Sequence, residues 1–330
     1  MKRIGIIGAG AWGTALATVV RRAGLEAVLW AREPEVVQSV NASHENTLYL
    51  PGVGLDPELR ATDDLAEAAA AEALLLVVPA QFLRATCEEL ADHLGVGVPV
   101  VACAKGIESQ SGALVSEIVA EALPAHPLAV LSGPTFAIEV ARQLPTAVTL
   151  ACADIEVGGN LAKALTTPRF RVYRSDDVVG AEIGGAVKNV LAIACGIVEG
   201  RKLGDNARAA LITRGLAEMA RLGTAKGGKA ETLMGLAGIG DLTLTCNAMQ
   251  SRNFSLGVAL GEGRSLAEIL GQRISVAEGV PSAAAVVGLA TRLGVEVPIC
   301  QAVDKILNAS ADIDATIAEL LARPVGAEAP

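Results

Sequence analysis

The chain has 330 residues, 52% of them hydrophobic but only 2% aromatic, and a formal net charge of −9. That length suits two domains with cores of Ala, Val, Leu and Ile, and the acidic balance argues against a general nucleic-acid surface. Six scattered cysteines without a C-x-x-C pair, and only three histidines, argue against a disulfide framework or a metal site and favour a reducing cytoplasm.

The opening MKRIGIIGAG carries two basic residues, but glycines interrupt its apolar stretch and no cleavage site follows. It reads as a first strand rather than a signal peptide. Further strands are predicted at EAVLW (26–30), LLLVV (74–78), PVVACA (99–104), LAVL (128–131), TAVTLAC (146–152) and FRVY (170–173). Between them, segments such as GTALATVVRRAG and ALVSEIVAEAL are apolar at helical spacing. Near-continuous apolar strands alternating with helices predict a parallel sheet covered on both faces. From about residue 178 the strand pattern stops and helical patterns run to the C-terminus. The expected fold class is α/β, with a doubly wound parallel sheet over residues 1–178 and an all-α domain over 179–330. Every apolar run of about 18 residues contains a charge or a breaker, so no integral membrane segment is expected.

Directly after the first strand, GIIGAGAWG places Gly8, Gly10 and Gly13 in G-x-G-x-x-G spacing where a helix begins. The first glycine makes the tight turn, the second admits a pyrophosphate to the backbone, and the third allows close helix–strand packing. In this βαβ context the pattern is a dinucleotide fingerprint of the Rossmann type. About 20 positions on, the second strand ends in LWAREP, presenting Arg32 where an NAD-selective site has a carboxylate for the ribose diol. An arginine there suits a 2′-phosphate, which favours NADPH and leaves NADH open; the alternative is a solvated arginine.

The histidines are poor proton donors by position. His44 lies in a polar loop, His93 near a helix end and His126 in PAHP, none directly at the carboxyl end of a predicted strand where open α/β sheets bind ligands. Lysine becomes the leading alternative. Lys105 directly follows PVVACA, at such a strand end. Lys188, beside Asn189, sits within EIGGAVKNVLAIACGIVEG, the most apolar helical stretch of the chain. Its side chain leans back over Gly184 and Gly185, each costing about 1 kcal/mol relative to alanine in a helix. What that cost provides is space for a substrate or for another backbone. A partly desolvated ammonium near a second cation has the lowered pKa that a donor to a carbonyl needs. Read alone, the same lysine is equally a side chain that snorkels to solvent.

Three clusters weigh against the snorkelling reading. LSGPTFA (131–137) offers Gly133 and Thr135 after a strand, GLAGIGDLTLT (235–245) places Asp241 after a Gly-rich turn, and QSRNFS (250–255) aligns Ser251, Arg252 and Asn253. An arginine fork and an amide are suitable donors for a phosphate dianion. Locally each has a bland reading as well: an ordinary loop, a helix cap and a charged surface turn.

Taken together, GAGAWGTALA, NTLYLPG, KGIE, SGPTFAIEVA, EIGGAVKNVLAIA, GLAGIGDLTLTC, SRNFSLG and VAEGVPS, in that order, resemble the bacterial NAD(P)-dependent glycerol-3-phosphate dehydrogenases over nearly the whole chain. The resemblance implies reduction of dihydroxyacetone phosphate to sn-glycerol 3-phosphate, a precursor of glycerophospholipids, by a cytoplasmic homodimer using NADP or NAD. It implies that Lys188 is the general acid, that Lys105 contacts substrate and cofactor, and that Asp241 orients the lysine. Gly133, Thr135, Asn189, Asp241, Ser251, Arg252 and Asn253 match substrate-pocket positions, with Arg252 and Asn253 on the phosphate. Beyond the three glycines, Ala11, Trp12, Arg32, Tyr49, Lys105, Ala137, Arg252, Val276 and Glu278 match cofactor positions.

Two departures stand out. Ala11 replaces a frequent serine, which removes a hydroxyl contact and leaves the backbone N–H, and Ile138 fills a position that is often basic. Other Rossmann-plus-helical dehydrogenases, acting on β-hydroxyacids or sugar acids, also use a lysine and asparagine here; the Ser251–Arg252–Asn253 cluster disfavours them. An NADP(H)-sensing regulator would share the cofactor fold without needing both Lys188 and Lys105.

Overall fold

The computed structural model describes residues 1–272 and 277–324. Among these, eight strands form one sheet: β1 (Arg3–Ile7), β2 (Glu26–Trp30), β3 (Arg60–Thr62), β4 (Ala73–Leu76), β5 (Val100–Ala102), β6 (Leu128–Ser132), β7 (Thr146–Cys152) and β8 (Phe170–Ser175). Their spatial order is β3-β2-β1-β4-β5-β6-β7-β8. Chain order reverses between β1 and β4, which opens a crevice at their carboxyl ends, the usual ligand position of doubly wound sheets. Separate apolar clusters cover the two sheet faces, and a third forms the centre of the helical half.

The parallel expectation needs one correction. β7 runs antiparallel to β6, with Ser132 opposite Thr149. A parallel return needs a crossover of a dozen or more residues along the sheet. The 133–145 link has that length, but it holds only the five-residue helix Ala137–Ala141 and a turn at Gln143 with φ 61° and does not run back along the sheet, so the chain re-enters at the end it left. β3 escaped the sequence reading because RAT is three residues with an exposed arginine at the sheet edge, too short to display a period.

The helical half is built around Val178–Gly200, whose residues 180–198 are all buried. By length and hydropathy this helix is apolar enough to cross a membrane, but its apolar stretch is buried inside the protein. Asp177 caps it by accepting from the Gly180 N–H at 2.9 Å. It crosses the helix Arg252–Gly261 at backbone contact: a Cβ on Gly196 would lie 2.1 Å from the Phe254 carbonyl, and one on Gly257 2.1 Å from that of Ile193. This glycine seam holds Ser251, Arg252 and Asn253 at the edge of the central helix.

Candidate active site

The glycine-rich turn follows β1 directly. Gly8 has φ +114°, a conformation that excludes ordinary side chains. A Cβ on Gly13 would sit 1.8 Å from the Gly8 carbonyl, whereas one on Gly10 would meet nothing within 4 Å. The helix Ala11–Arg22 is therefore clamped to the strand at Gly13 and open to a ligand at Gly10, as the fingerprint requires. Trp12 lies alongside, its indole Nε1 buried without a hydrogen-bond partner. Ala11, Trp12, Ala137 and Ile138 all pack, partly buried, on the cluster covering this face. At the end of β2, Arg32 is exposed, and the Tyr49 hydroxyl donates to Glu33 at 3.2 Å.

The catalytic candidates meet across the two halves of the chain. Lys188 Nζ donates to Asp241 Oδ1 at 2.5 Å and to Thr245 Oγ1 at 2.9 Å. Lys105 Nζ donates to the other carboxylate oxygen, Oδ2, at 2.8 Å and to the Gly133 carbonyl at 2.8 Å. Asp241 is fully buried, and the Lys188 and Lys105 side chains retain 7% and 14% exposure. An ammonium has three donors, so each lysine keeps one for a ligand. Two cations against one anion leave the cluster net positive in an acidic protein. Burial lowers the Lys188 pKa from 10.5 to about 8; Asp241 opposes that shift and Lys105 adds to it.

The glycines ahead of Lys188 have separate tasks. A Cβ at position 184 would lie 2.2 Å from the Ala237 carbonyl oxygen, so Gly184 admits the backbone of the Gly-rich turn that delivers Asp241. A Cβ at position 185 would press on the Lys105 stem, 3.3 Å from its Cγ. The space is thus used by a backbone and by the companion lysine.

A chain of amides runs beneath the lysines. Asn189 Nδ2 donates to the Lys105 carbonyl at 2.9 Å, Asn253 Nδ2 donates to Asn189 Oδ1 at 2.9 Å, and Asn253 Oδ1 accepts from the Gly279 N–H at 3.0 Å. Asn253 thereby commits its oxygen and one of its two amide protons to the fold. Ser251 commits its hydroxyl as the cap of the Arg252–Gly261 helix, accepting from Phe254 N at 3.2 Å. Arg252 is exposed at that helix N-terminus, with Glu278 as its opposite charge. Glu278 accepts from the Ala80 N–H through Oε1 at 3.3 Å, while its Oε2 is buried and unpartnered. Thr135 stands close to the Lys105 anchor, its hydroxyl donating to the Gly133 carbonyl at 3.3 Å. Val276 lies outside the described residues.

The lysines, Gly133, Asn189, Asp241 and Asn253 therefore form one hydrogen-bonded unit, with Thr135, Ser251 and Arg252 at its edge. The Gly8–Gly13 turn, Arg32 and Tyr49 form a second group along the sheet crevice. The sequence reading missed Thr245, which accepts from Lys188 and donates to the Asp241 carbonyl at 2.6 Å. Its signal was the four-residue spacing from Asp241, which puts both on one helix face. The histidines stand apart: His126 Nδ1 pairs with the Val98 carbonyl, and His44 follows the helix Pro34–Ser43 in a left-handed conformation. Among the described residues no group of His, Cys, Asp and Glu is arranged to hold a metal ion.

Residues 3–158 match the model of the NAD-dependent glycerol-3-phosphate dehydrogenase N-terminus, and residues 177–318 that of its C-terminus. The chain is 59% identical over 327 residues to a glycerol-3-phosphate dehydrogenase [NAD(P)+] of Parvibaculum lavamentivorans, covering 99% of this chain and 98% of that one. It is 60% identical over 326 residues to the enzyme of that name from Rhodospirillum rubrum, covering 98% and 93%. A crystal structure of glycerol-3-phosphate dehydrogenase from Coxiella burnetii superposes with a TM-score of 0.94 at 42% identity, over 98% of this chain and 99% of that one. With two family models spanning both halves and relatives near 60% identity over almost the full length, the chain belongs to the NAD-dependent glycerol-3-phosphate dehydrogenase family.

Proposed function

We propose that the protein reduces dihydroxyacetone phosphate to sn-glycerol 3-phosphate, with Lys188 as the general acid. The observation that carries this reading is the bridge from Lys188 through Asp241 to Lys105. In it, residues 1–178 hold the dinucleotide and residues 179–330 supply most of the substrate contacts. The open face of Gly10 and the buried, unpartnered Glu278 Oε2 and Trp12 Nε1 fit a polar cofactor lying along the crevice. A nicotinamide dinucleotide, when bound, supplies the hydride from its C4 to the ketone carbon.

The remaining work falls to the chain. Lys188 gives its free proton to the carbonyl oxygen as negative charge develops there, and Lys105 stabilises that charge. Asp241 and Thr245 fix the direction of the Lys188 ammonium. A pKa near 8 keeps the donor mostly protonated at neutral pH yet acidic enough to transfer. Arg252, at a helix N-terminus, offers a fork and backbone dipoles to the phosphate. In the reverse direction the neutral lysine accepts the alcohol proton.

Arg32 supports NADPH as the preferred reductant, with NADH as the lesser one. We take the acting form to be a cytoplasmic homodimer, on the family resemblance and on six free, buried cysteines that suit a reducing compartment; sedimentation measures the assembly. Oxidation of NADPH and of NADH, each followed with dihydroxyacetone phosphate and with dihydroxyacetone, tests the function. Turnover should require the phosphate-bearing ketone, and equal rates with both ketones would refute the substrate reading.

A further inference from the structure

Asn46 lies in the NTLYLPG stretch, outside the lysine cluster, and is completely buried. Its Nδ2 donates to the Ala9 carbonyl at 2.8 Å and to Thr14 Oγ1 at 2.8 Å, and its Oδ1 accepts from the Tyr49 N–H at 3.1 Å. The Thr14 hydroxyl donates to the same Ala9 carbonyl at 3.3 Å. Both amide protons and the carbonyl oxygen of Asn46 are therefore engaged. A flipped amide would set oxygen against the Ala9 carbonyl and an N–H against the Tyr49 N–H, so only one orientation is tenable.

Ala9 is the middle residue of the Gly8-Ala9-Gly10 turn. In a planar trans peptide the carbonyl and the following N–H point in opposite directions. Pinning the Ala9 carbonyl inward, toward Asn46 and Thr14, turns the Gly10 N–H outward on the far side of that peptide. Gly8 is fixed by its N–H on the Trp30 carbonyl at 3.1 Å and Ala9 is buried in the core, whereas Gly10 has no steric neighbour. The tilt of the Ala9–Gly10 peptide is therefore set chiefly by the hydrogen bonds that its carbonyl accepts from Asn46 and Thr14. The same asparagine anchors the Tyr49 backbone, and the Tyr49 hydroxyl reaches Glu33 next to Arg32, so one side chain joins the turn to the segment after β2.

We infer that Asn46 is a positioning residue for dinucleotide binding, orienting the Ala9–Gly10 peptide so that its N–H faces the cofactor pyrophosphate. It touches no ligand itself. The inference rests on the dinucleotide reading of this crevice and is independent of which ketone is reduced.

Titration calorimetry tests it with three proteins and two probes. The probes are NADPH and adenosine 2′-monophosphate, which carries the adenosine half without the pyrophosphate. Asn46→Asp keeps the shape and the acceptor for Tyr49 but loses both donors; Thr14→Val removes the second hydrogen bond to Ala9. The NADPH Kd should rise about tenfold in Asn46→Asp and about threefold in Thr14→Val, while the fragment Kd stays within about twofold. Should Asn46→Asp not fold, Thr14→Val carries the test alone. An unchanged NADPH Kd, or equal weakening of both probes, overturns the inference. A wild-type protein that binds NADPH tightly beside such a variant would sink this inference only; a wild type that fails to bind NADPH would sink the cofactor reading and this inference with it.

Discussion

Asp241 accepts from Lys188 through one carboxylate oxygen at 2.5 Å and from Lys105 through the other at 2.8 Å. One buried anion thus holds an ammonium from the helical half and one from the end of a sheet strand at fixed separation. Asp241→Asn removes the shared counter-charge with little change of shape. Lys188 remains but loses its orientation, so turnover should fall by up to about 10²–10⁴-fold, the contribution of a positioned acid. The wild-type reduction rate should itself decline as pH rises through about 8, because the donor must be protonated and burial has lowered its pKa to that value. Without the opposing aspartate the Lys188 pKa drops further, so in Asp241→Asn the decline begins at lower pH. A kcat/KM profile from pH 6 to 10 checks both, and coincident profiles would count against the bridge.

Arg252 should act on substrate affinity. Replacing it with alanine removes a charge-assisted fork, about 1.5–3 kcal/mol. The KM for dihydroxyacetone phosphate should rise roughly 10–10²-fold, with a much smaller effect on the residual reaction of dihydroxyacetone. An unchanged phosphate KM contradicts the role.

Gly184 separates packing from helix propensity. Alanine gains about 1 kcal/mol in an isolated helix interior. Here its methyl group would collide with the Ala237 carbonyl, and such overpacking typically costs about 1–3 kcal/mol. Gly184→Ala should therefore melt at a lower temperature than wild type and displace the turn that carries Asp241. A higher melting temperature would show that the two backbones are not in contact.

Glu182 is a buried carboxyl outside the catalytic unit. It accepts from Ser116 N and Ser116 Oγ, each at 2.6 Å, linking the central helix to the helix Val115–Ala122. Burial raises its pKa from 4.5 to about 7. A carboxyl that holds its proton more tightly when folded contributes stability fully present below its unfolded pKa and lost as pH rises through its folded value. Between about pH 4.5 and 7 the folded state should lose stability on this account, and Glu182→Gln should flatten that slope. Denaturant melts across the interval measure it, and an unaltered slope would assign the pH dependence elsewhere.

Much of this was readable from the sequence because the informative residues are local. β1, β2 and β7 were predicted at their observed limits, since Ile, Val and Leu runs end sharply at turns. The direction of β7 was not readable: it depends on whether the 133–145 link crosses the sheet, which the apolarity of the strand does not encode. Lys105, Lys188 and Asp241 stood out as charges beside strand ends and glycine turns. Thr245 did not, because a threonine in an apolar helix looks like filler until the lysine facing it is placed. The double commitment of Asn253, to Asn189 and to Gly279, depends on contacts 64 and 26 residues away in sequence. No local pattern announces such contacts.

The most direct test is turnover of Lys188→Ala with dihydroxyacetone phosphate, measured alongside its NADPH Kd. Loss of the assigned proton donor should lower kcat by about 10²–10⁴-fold while NADPH binds within about threefold of wild type. Turnover near the wild-type rate would contradict the assignment of Lys188 as the proton donor.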